Sequence, residues 1–421
     1  MTDTADVTVT DPSQGEGSEQ HGPRLRLVPT AATDVGPEFD DRAAEFLAAA
    51  DAAADEFAAF ADAENTTRTY RWAQDRFVRW CADAGQQALP TSPRTVIRFL
   101  SAVAADPRQP APVSTLRVLL AGIARAHADA GYPDPTADAS VKRVMRGVRR
   151  VRGRAGITPD RAPAATLPVI QALVPHIHSH ASTWRQQVAA RRDIALIVLL
   201  YGAALRRSEA VGLHLSDLAA APAPEGGHRL RIRLRGSKGD LDANEIYLGR
   251  GTTDALWCPW CALLRWLDVL TVHDSAARTA LRQAAVDPAA VTDARSIAVQ
   301  RMLRRDTSDP HEHRCTGGWP TPHRDDAERP VFRPVSHGGL PHADTALSGR
   351  SVGSILADRS IAAGVGELRG HSPRAGAATQ LFDDDVPAEK VATKLRHKLV
   401  STSLVYDRKR DQRTADIDTG L

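Results

Sequence analysis

The chain has 421 residues, 42% of them hydrophobic and 5% aromatic, with a formal net charge of +3. That length allows two or three domains, and no apolar run is long enough to make a membrane-spanning helix. Four cysteines (Cys81, Cys258, Cys261 and Cys315) are too few for a disulfide framework in a chain this long. With a polar, acidic start unlike a secretory signal, a reducing cytoplasm is the simplest expectation. The charge is uneven: residues 1–64 carry 15 acidic and 3 basic side chains, which leaves the rest of the chain at +15. A basic body suits a polyanionic partner, although a surplus of arginines alone gives the same balance.

In chain order, residues 1–40 are rich in Thr, Asp, Gly, Ser and Pro without periodicity and are expected to be a disordered acidic tail. Residues 41–64 form an Ala-rich amphipathic helix with Phe46, Phe57 and Phe60 near one face. Residues 65–151 form a compact helical domain. Its first helix turns Trp72, Phe77, Trp80 and Cys81 toward a core and ends near Gly85. The second helix has Thr91 or Ser92 as its cap. The last helix sets Val141, Val144, Val148 and Val151 against Lys142, Arg143, Arg146, Arg149, Arg150, Arg152 and Arg154. Such a density of cations points to phosphate contact, against the bland alternative of a solvated basic face. Residues 152–166, with Gly and two prolines, read as a linker.

Residues 167–421 form a second domain. The run from Ile194 to Leu200 is apolar on all sides, so its helix is buried. Alternation through Leu230, Ile232 and Leu234, returning through Ile246 and Leu248, makes a β-hairpin with Lys238 at its turn. Trp257 opens WCPWC at the start of another helix, followed by an insert at about 271–328. Cys258 and Cys261 form a CxxC pair that His311, His313, Cys315 and His323 could complete as a zinc site. The separation matches no recognised zinc spacing, so a plain packed or flexible insert is the expectation. Residues 349–368 form an amphipathic helix.

The stretch from His371 to Tyr406 carries the chemistry. His371 and Arg374 share a helix face, and Pro373 fits the first turn of that helix. A second helix runs from about Pro387 to Arg396, just before His397. Ser401, Thr402 and Ser403 offer caps for a third, which carries Tyr406. Arg and His donors can hold the non-bridging oxygens of a phosphate. A Tyr hydroxyl, with a free pKa of about 10, needs cations and a base nearby to act as a nucleophile.

HSPR, the 23-residue step from Arg374 to His397 and the nine residues on to Tyr406 together resemble the C-terminal signature of the tyrosine recombinases, the phage-integrase family. Two departures stand out. Pro373 replaces a frequent Leu, and Arg396 replaces the Gly that usually precedes the His; neither is expected to touch a catalytic group. LRRSEAVGL from Leu205 resembles the family's first arginine box, which implies Arg206 as a catalytic arginine and Glu209 as the acid that supports it. Arg207 is adjacent, so the register is open by one residue. The SKG placement implies Lys238 as the proton donor to the leaving 5′ oxygen.

The implied fold is mainly α with a small antiparallel β-sheet: a helical SAM-like core-binding domain, joined by a linker that lets two domains clamp a duplex, plus the catalytic domain. The implied activity is site-specific DNA strand exchange through a 3′-phosphotyrosyl ester, needing no cofactor, ATP or catalytic metal. Implied partners are double-stranded DNA with specific recombination sites, a homotetramer in the synaptic complex, and an accessory directionality factor as a further candidate. The implied setting is cytoplasmic and nucleoid-associated, with no membrane. Competing readings are topoisomerase IB-like relaxation, a non-catalytic DNA-binding protein, and a hairpin-forming resolvase of linear replicons.

Overall fold

A computed structural model of the chain describes residues 4–7, 27–30, 43–52, 64–157, 161–235, 244–283 and 288–407. The chain divides into two compact units, Met1–Pro159 and Asp160–Leu421. The fold is mainly helical with small antiparallel sheets.

In the first unit, β1 (Thr4–Val7) pairs antiparallel with β2 (Leu27–Thr30), inside a stretch expected to lack structure. Helix α1 covers 43–52 and leaves Phe46 exposed, so this side chain is not the packing element its pattern suggested. Phe57 and Phe60 lie outside the described residues. The core of the unit is built by α2 (Glu64–Asp83), α3 (Pro93–Ala104), α4 (Val113–Asp129) and α5 (Ala139–Arg154). Ser92 is the cap of α3, accepting from the Thr95 N–H. Phe77 packs edge-on to Phe99 with centroids 5.0 Å apart, and Trp80 lies 5.5 Å from the same ring.

Trp72 is 41% exposed rather than inward. The inward stripe of α2 is Ala73, Phe77 and Cys81, spaced by four. Helix α4 comes so close at Gly122 that an added Cβ would lie 2.6 Å from the Ala73 Cβ, which leaves no room for an indole on that face. On α5 the inward residues are Val141 and Met145, with Val148 half-buried, while Val151 is exposed because the last turn runs past the core.

In the second unit, α6 (Leu167–Ser179) and α7 (Trp184–Gly202) form a helical pair. Helix α7 opens with a reciprocal cap: Gln186 N–H donates to Thr183 Oγ1, and Thr183 N–H donates to Gln186 Oε1. Ile194–Leu200 is buried throughout, as the unbroken apolar run requires. The short α8 (Arg207–Val211) leads to a three-stranded sheet in the order β3 (Leu218–Pro222), β4 (His228–Leu234), β5 (Asn244–Leu248). Strands β4 and β5 pair Leu230 with Leu248 and Ile232 with Ile246, and all four side chains are buried. Strand β3 was not expected, since its Ala-rich sequence lacks the alternation that marks the other two.

Helix α9 (Pro259–Gln283) runs straight through the expected start of the insert at Thr271. Its buried Asp274 receives two 3.0 Å hydrogen bonds from the wholly buried Arg333 guanidinium, fastening the helix to the segment after the insert. Helix α10 (Pro288–Arg305) packs on α9. Then follow α11 (Gly349–Ala362), α12 (Ser372–Asp383), α13 (Ala388–Leu395) and α14 (Val400–Ser403). Gly376 lets α12 lie directly on the backbone of residues 165–166; a Cβ there would sit 1.8 Å from the Ala165 carbonyl oxygen.

Candidate active site

The site forms where three chain reversals meet. After α7 the chain turns through Ala204 at φ +46°, a left-handed conformation that costs a non-glycine residue about 1–2 kcal/mol. This turn aims the Ala204 carbonyl at two arginines. Arg374 Nη1 donates to it at 2.5 Å and Arg396 Nη2 at 3.0 Å. Arg206, next along, caps α8. The Glu209 carboxylate accepts the Arg206 backbone N–H at 2.8 Å and also pairs with the Arg206 guanidinium. Arg207, the alternative register, points elsewhere: its stem lies over Gly349 and Gly370.

Arg374 is 1% exposed, on α12. Its second terminal nitrogen donates to the Leu395 carbonyl, so the end of α13 holds it from the other side. Burial first, then the neighbouring Arg206 and Arg396, lowers its pKa to about 10. It therefore remains cationic at neutral pH, and among the described residues no carboxylate pairs with it directly. A buried cation held only by carbonyls is a strong attractor for an anion.

Arg396 touches the site, contrary to expectation. It terminates α13 at φ +53°, the backbone conformation for which glycine is suited at a helix end. Its guanidinium donates to Glu209 at 2.7 Å and to the Ala203 carbonyl at 3.1 Å. Its own carbonyl accepts from Arg206 Nη2 at 3.2 Å. Burial pushes the Glu209 pKa upward, but Arg396 and Arg206 outweigh it and hold the carboxyl below its usual range.

The turn at Arg396 delivers His397. Its Nδ1 lies 2.8 Å from the Ser403 hydroxyl, which is therefore a partner of the imidazole rather than a helix cap. Burial, then Arg374 and Arg206, pushes the His397 pKa down to about 4, so the ring is neutral. When the Ser403 hydroxyl donates to Nδ1, the neutral ring carries its proton on Nε2.

Tyr406 ends the 3-10 turn after α14, its ring stacked on His397 at 6.3 Å between centroids. The Tyr406 hydroxyl lies 2.9 Å from His371 Nε2. His371 keeps an exposed edge, yet the protein packed around it, then Arg374, Arg206 and Arg207, lowers its pKa. A neutral imidazole accepts the phenolic hydrogen bond. Burial raises the Tyr406 pKa, and Arg374, Arg206 and Arg161 only partly offset this, so the resting group is a phenol. Arg161 was not anticipated. Its Nη1 donates to the Val405 carbonyl at 2.9 Å and pins the tyrosine-bearing turn from the segment read as linker.

The structure thus brings Arg206, Glu209, His371, Arg374, His397 and Tyr406 together. Lys238 lies outside the described residues. On α5, Lys142, Arg143, Arg146, Arg149 and Arg150 are exposed, whereas Arg152 is half-buried and donates to the Ala104 carbonyl at 3.3 Å. Cys258, Cys261, His313 and Cys315 cluster apart from this site, without His311 or His323. His311 Nδ1 lies instead 2.7 Å from Asp254, and His323 Nδ1 accepts from the Asp325 N–H.

The chain is 25% identical over 342 residues to an integrase/recombinase XerD homologue of Selenomonas ruminantium, covering 80% of this chain and 79% of that protein. It is also 32% identical over 183 residues to the tyrosine recombinase XerC of Rhodospirillum centenum, covering 39% of this chain and 52% of that protein. The chain is a relative of the tyrosine recombinases. No family model matches it. Among solved structures, the XerH site-specific recombinase in a post-cleavage complex with palindromic difH substrate aligns with 83% of this chain and 79% of its own, at 14% identity and a TM-score of 0.47. The Tn1549 transposon integrase with circular intermediate DNA aligns with 87% of this chain and 97% of its own, at 12% identity and 0.43.

Proposed function

We propose that this chain is a site-specific DNA recombinase that cuts and rejoins duplex DNA through a 3′-phosphotyrosyl intermediate. The observation that carries the reading is the 2.9 Å contact between Tyr406 and His371 beside a buried, carbonyl-held Arg374. The tyrosine oxygen attacks the scissile phosphorus while its proton passes to His371 Nε2. Arg206, Arg374 and the His397 Nε2–H hold the non-bridging oxygens as negative charge grows on them. The P–O5′ bond breaks, and Lys238 supplies the proton to the leaving 5′ oxygen. A 5′-hydroxyl from a second duplex then attacks the phosphotyrosyl ester and restores the tyrosine. Bond energy stays in the ester, so neither ATP nor a catalytic metal takes part.

The partners in this reading are duplexes bearing specific sites, a homotetramer at synapsis, and an accessory factor that sets direction; the working location is the nucleoid. Two XerC- and XerD-type relatives support it, as does the basic face of α5 for phosphate contact. The test is incubation with nicked suicide duplexes made from DNA flanking the gene. The expected result is a covalent protein–DNA band on a denaturing gel, absent with Tyr406→Phe. A band that survives in Tyr406→Phe overturns the nucleophile. Retarded DNA with no adduct at any site tried overturns the enzyme, and relaxation of site-free plasmid without exchange points to topoisomerase chemistry.

A further inference from the structure

Away from the tyrosine site, the fold closes a loop that the sequence leaves open. Cys258 and Cys261 begin α9, while His313 and Cys315 lie in the segment after α10, more than fifty residues later. We propose that Cys258, Cys261, His313 and Cys315 bind one zinc ion as a closed structural site that fastens the insert to the start of α9. This goes beyond the recombinase reading and does not depend on it.

The four ligand atoms lie within 4.8 Å of one another. A tetrahedral zinc with bonds of about 2.3 Å to sulfur and about 2.05 Å to nitrogen sets a nitrogen and a sulfur ligand about 3.5 Å apart. His313 Nδ1 lies 3.6 Å from Cys261 Sγ and 3.5 Å from Cys315 Sγ. The other ring nitrogen, Nε2, is 3.1 Å from the Thr253 carbonyl, which accepts only if Nε2 carries the proton. That fixes the tautomer with the Nδ1 lone pair facing the three sulfurs, the arrangement by which a backbone carbonyl orients a metal-binding histidine.

The cysteines are shut away from water, at 0%, 0% and 2% exposure, and none is in a disulfide. The Gly251 N–H points at the Cys258 sulfur at 3.2 Å. Gly251 has no substitute there, because a Cβ would sit 2.9 Å from the Cys258 Cβ. Three buried cysteine sulfurs and an imidazole gathered within 4.8 Å of one another match zinc, which accepts soft sulfur and needs no open position in a structural site.

The surroundings give the site its purpose. Arg265, on α9, donates to the Pro310 carbonyl at 2.7 Å and the Ala255 carbonyl at 3.2 Å, tying the same three segments together. Pro259, inside the CPWC turn, packs 3.3 Å from where a Cβ of Gly202 would be, at the end of α7. Gly202 precedes Arg206 by four residues. A metal here braces the back of the arginine turn without touching the reacting atoms.

The experiment uses the full chain without a histidine tag, expressed in zinc-supplemented medium and measured by plasma mass spectrometry. About one zinc per chain is expected. His311→Ala and His323→Ala keep it. Cys315→Ser loses at least about fivefold, and His313→Cys, which preserves a four-ligand set, retains it. Circular dichroism confirms that each variant is folded, and cobalt loading reads the ligand geometry: a tetrahedral d–d spectrum with thiolate charge transfer is expected. Zinc below about 0.2 per chain in the folded wild type overturns the proposal. So does a Cys258–Cys261 disulfide found by peptide mass spectrometry, full zinc in a soluble Cys315→Ser, or an octahedral cobalt spectrum.

Discussion

The Arg396 guanidinium lies 2.7 Å from Glu209, the same carboxylate that holds Arg206. Two arginines from opposite ends of the second unit therefore share one buried acid. Arg396 does this from a left-handed backbone, so its side chain and its main chain pull on stability in opposite directions.

Replacing Arg396 separates the two effects. Arg396→Ala keeps the strained φ and loses one partner of Glu209; a loss of about 2–3 kcal/mol is expected, below the 3–5 typical of a buried pair because Arg206 remains. Arg396→Gly loses the same partner but removes the left-handed cost, so it should be more stable than the alanine variant by about 1 kcal/mol. Urea melts of the two proteins measure the difference. Equal stability of Ala and Gly variants would remove strain from the account.

A neutral His371 is required if it accepts the tyrosyl proton. Its pKa is lowered by burial and by Arg374, Arg206 and Arg207. Single-turnover cleavage should therefore be level from about pH 7 upward and fall on the acid side, with an apparent pKa below the usual imidazole value of about 6.5. His371→Ala should lose roughly 10²–10⁴-fold in rate and flatten the acid limb. Rates that climb as pH falls from 8 to about 6 would show instead that a protonated imidazole acts.

His397 links the site to folding stability. The unfolded imidazole takes up a proton near its usual value of about 6.5, whereas the folded one holds off until about 4. Between those values the unfolded chain binds more protons. Stability from this group is thus complete above about pH 6.5, declines as pH falls through the window, and levels off below the folded value. Melting temperatures at pH 7 and pH 5 should differ less in His397→Gln than in the wild type. An unchanged difference would mean the ring is not held neutral.

Much of this was legible because some patterns are local and some are joint. The alternation of Leu230, Ile232 and Leu234 marks β4 on its own, and the spacing of His371, Arg374, His397 and Tyr406 marks a site that the fold assembles. What escaped depends on partners far away in sequence. Arg396 reads as a harmless departure because its backbone angle and its hold on Glu209 leave no trace in neighbouring residues. Arg161 is one arginine in a Pro-rich stretch until Val405 arrives beside it. Trp72 matches an amphipathic pattern, yet the close approach of α4 at Gly122 leaves that face to Ala73. The four zinc ligands were all among the sequence candidates, and what the fold adds is the choice of His313 over His311 and His323, which turn to Asp254 and Asp325 instead.

The basic face of α5 is where affinity for DNA should reside. Lys142, Arg143, Arg146, Arg149 and Arg150 are all exposed, and none is needed to hold the core made by Val141 and Met145. Each cation that neutralises a phosphate releases counterions, and log affinity then falls with log salt by about 0.9 per contact on a duplex. Changing these five residues to glutamine should leave the melting temperature near that of the wild type. If four or five of them reach phosphates, the slope of log affinity against log salt should shrink by roughly 4. Arg152→Gln should behave differently. Its guanidinium is drawn back to the Ala104 carbonyl at 3.3 Å, so the change costs stability of about 1 kcal/mol and less than one unit of slope. Fluorescence anisotropy across a salt series, on a duplex bearing the recombination site, reads both numbers. A slope unchanged by the five substitutions would move the phosphate-binding surface off α5 altogether.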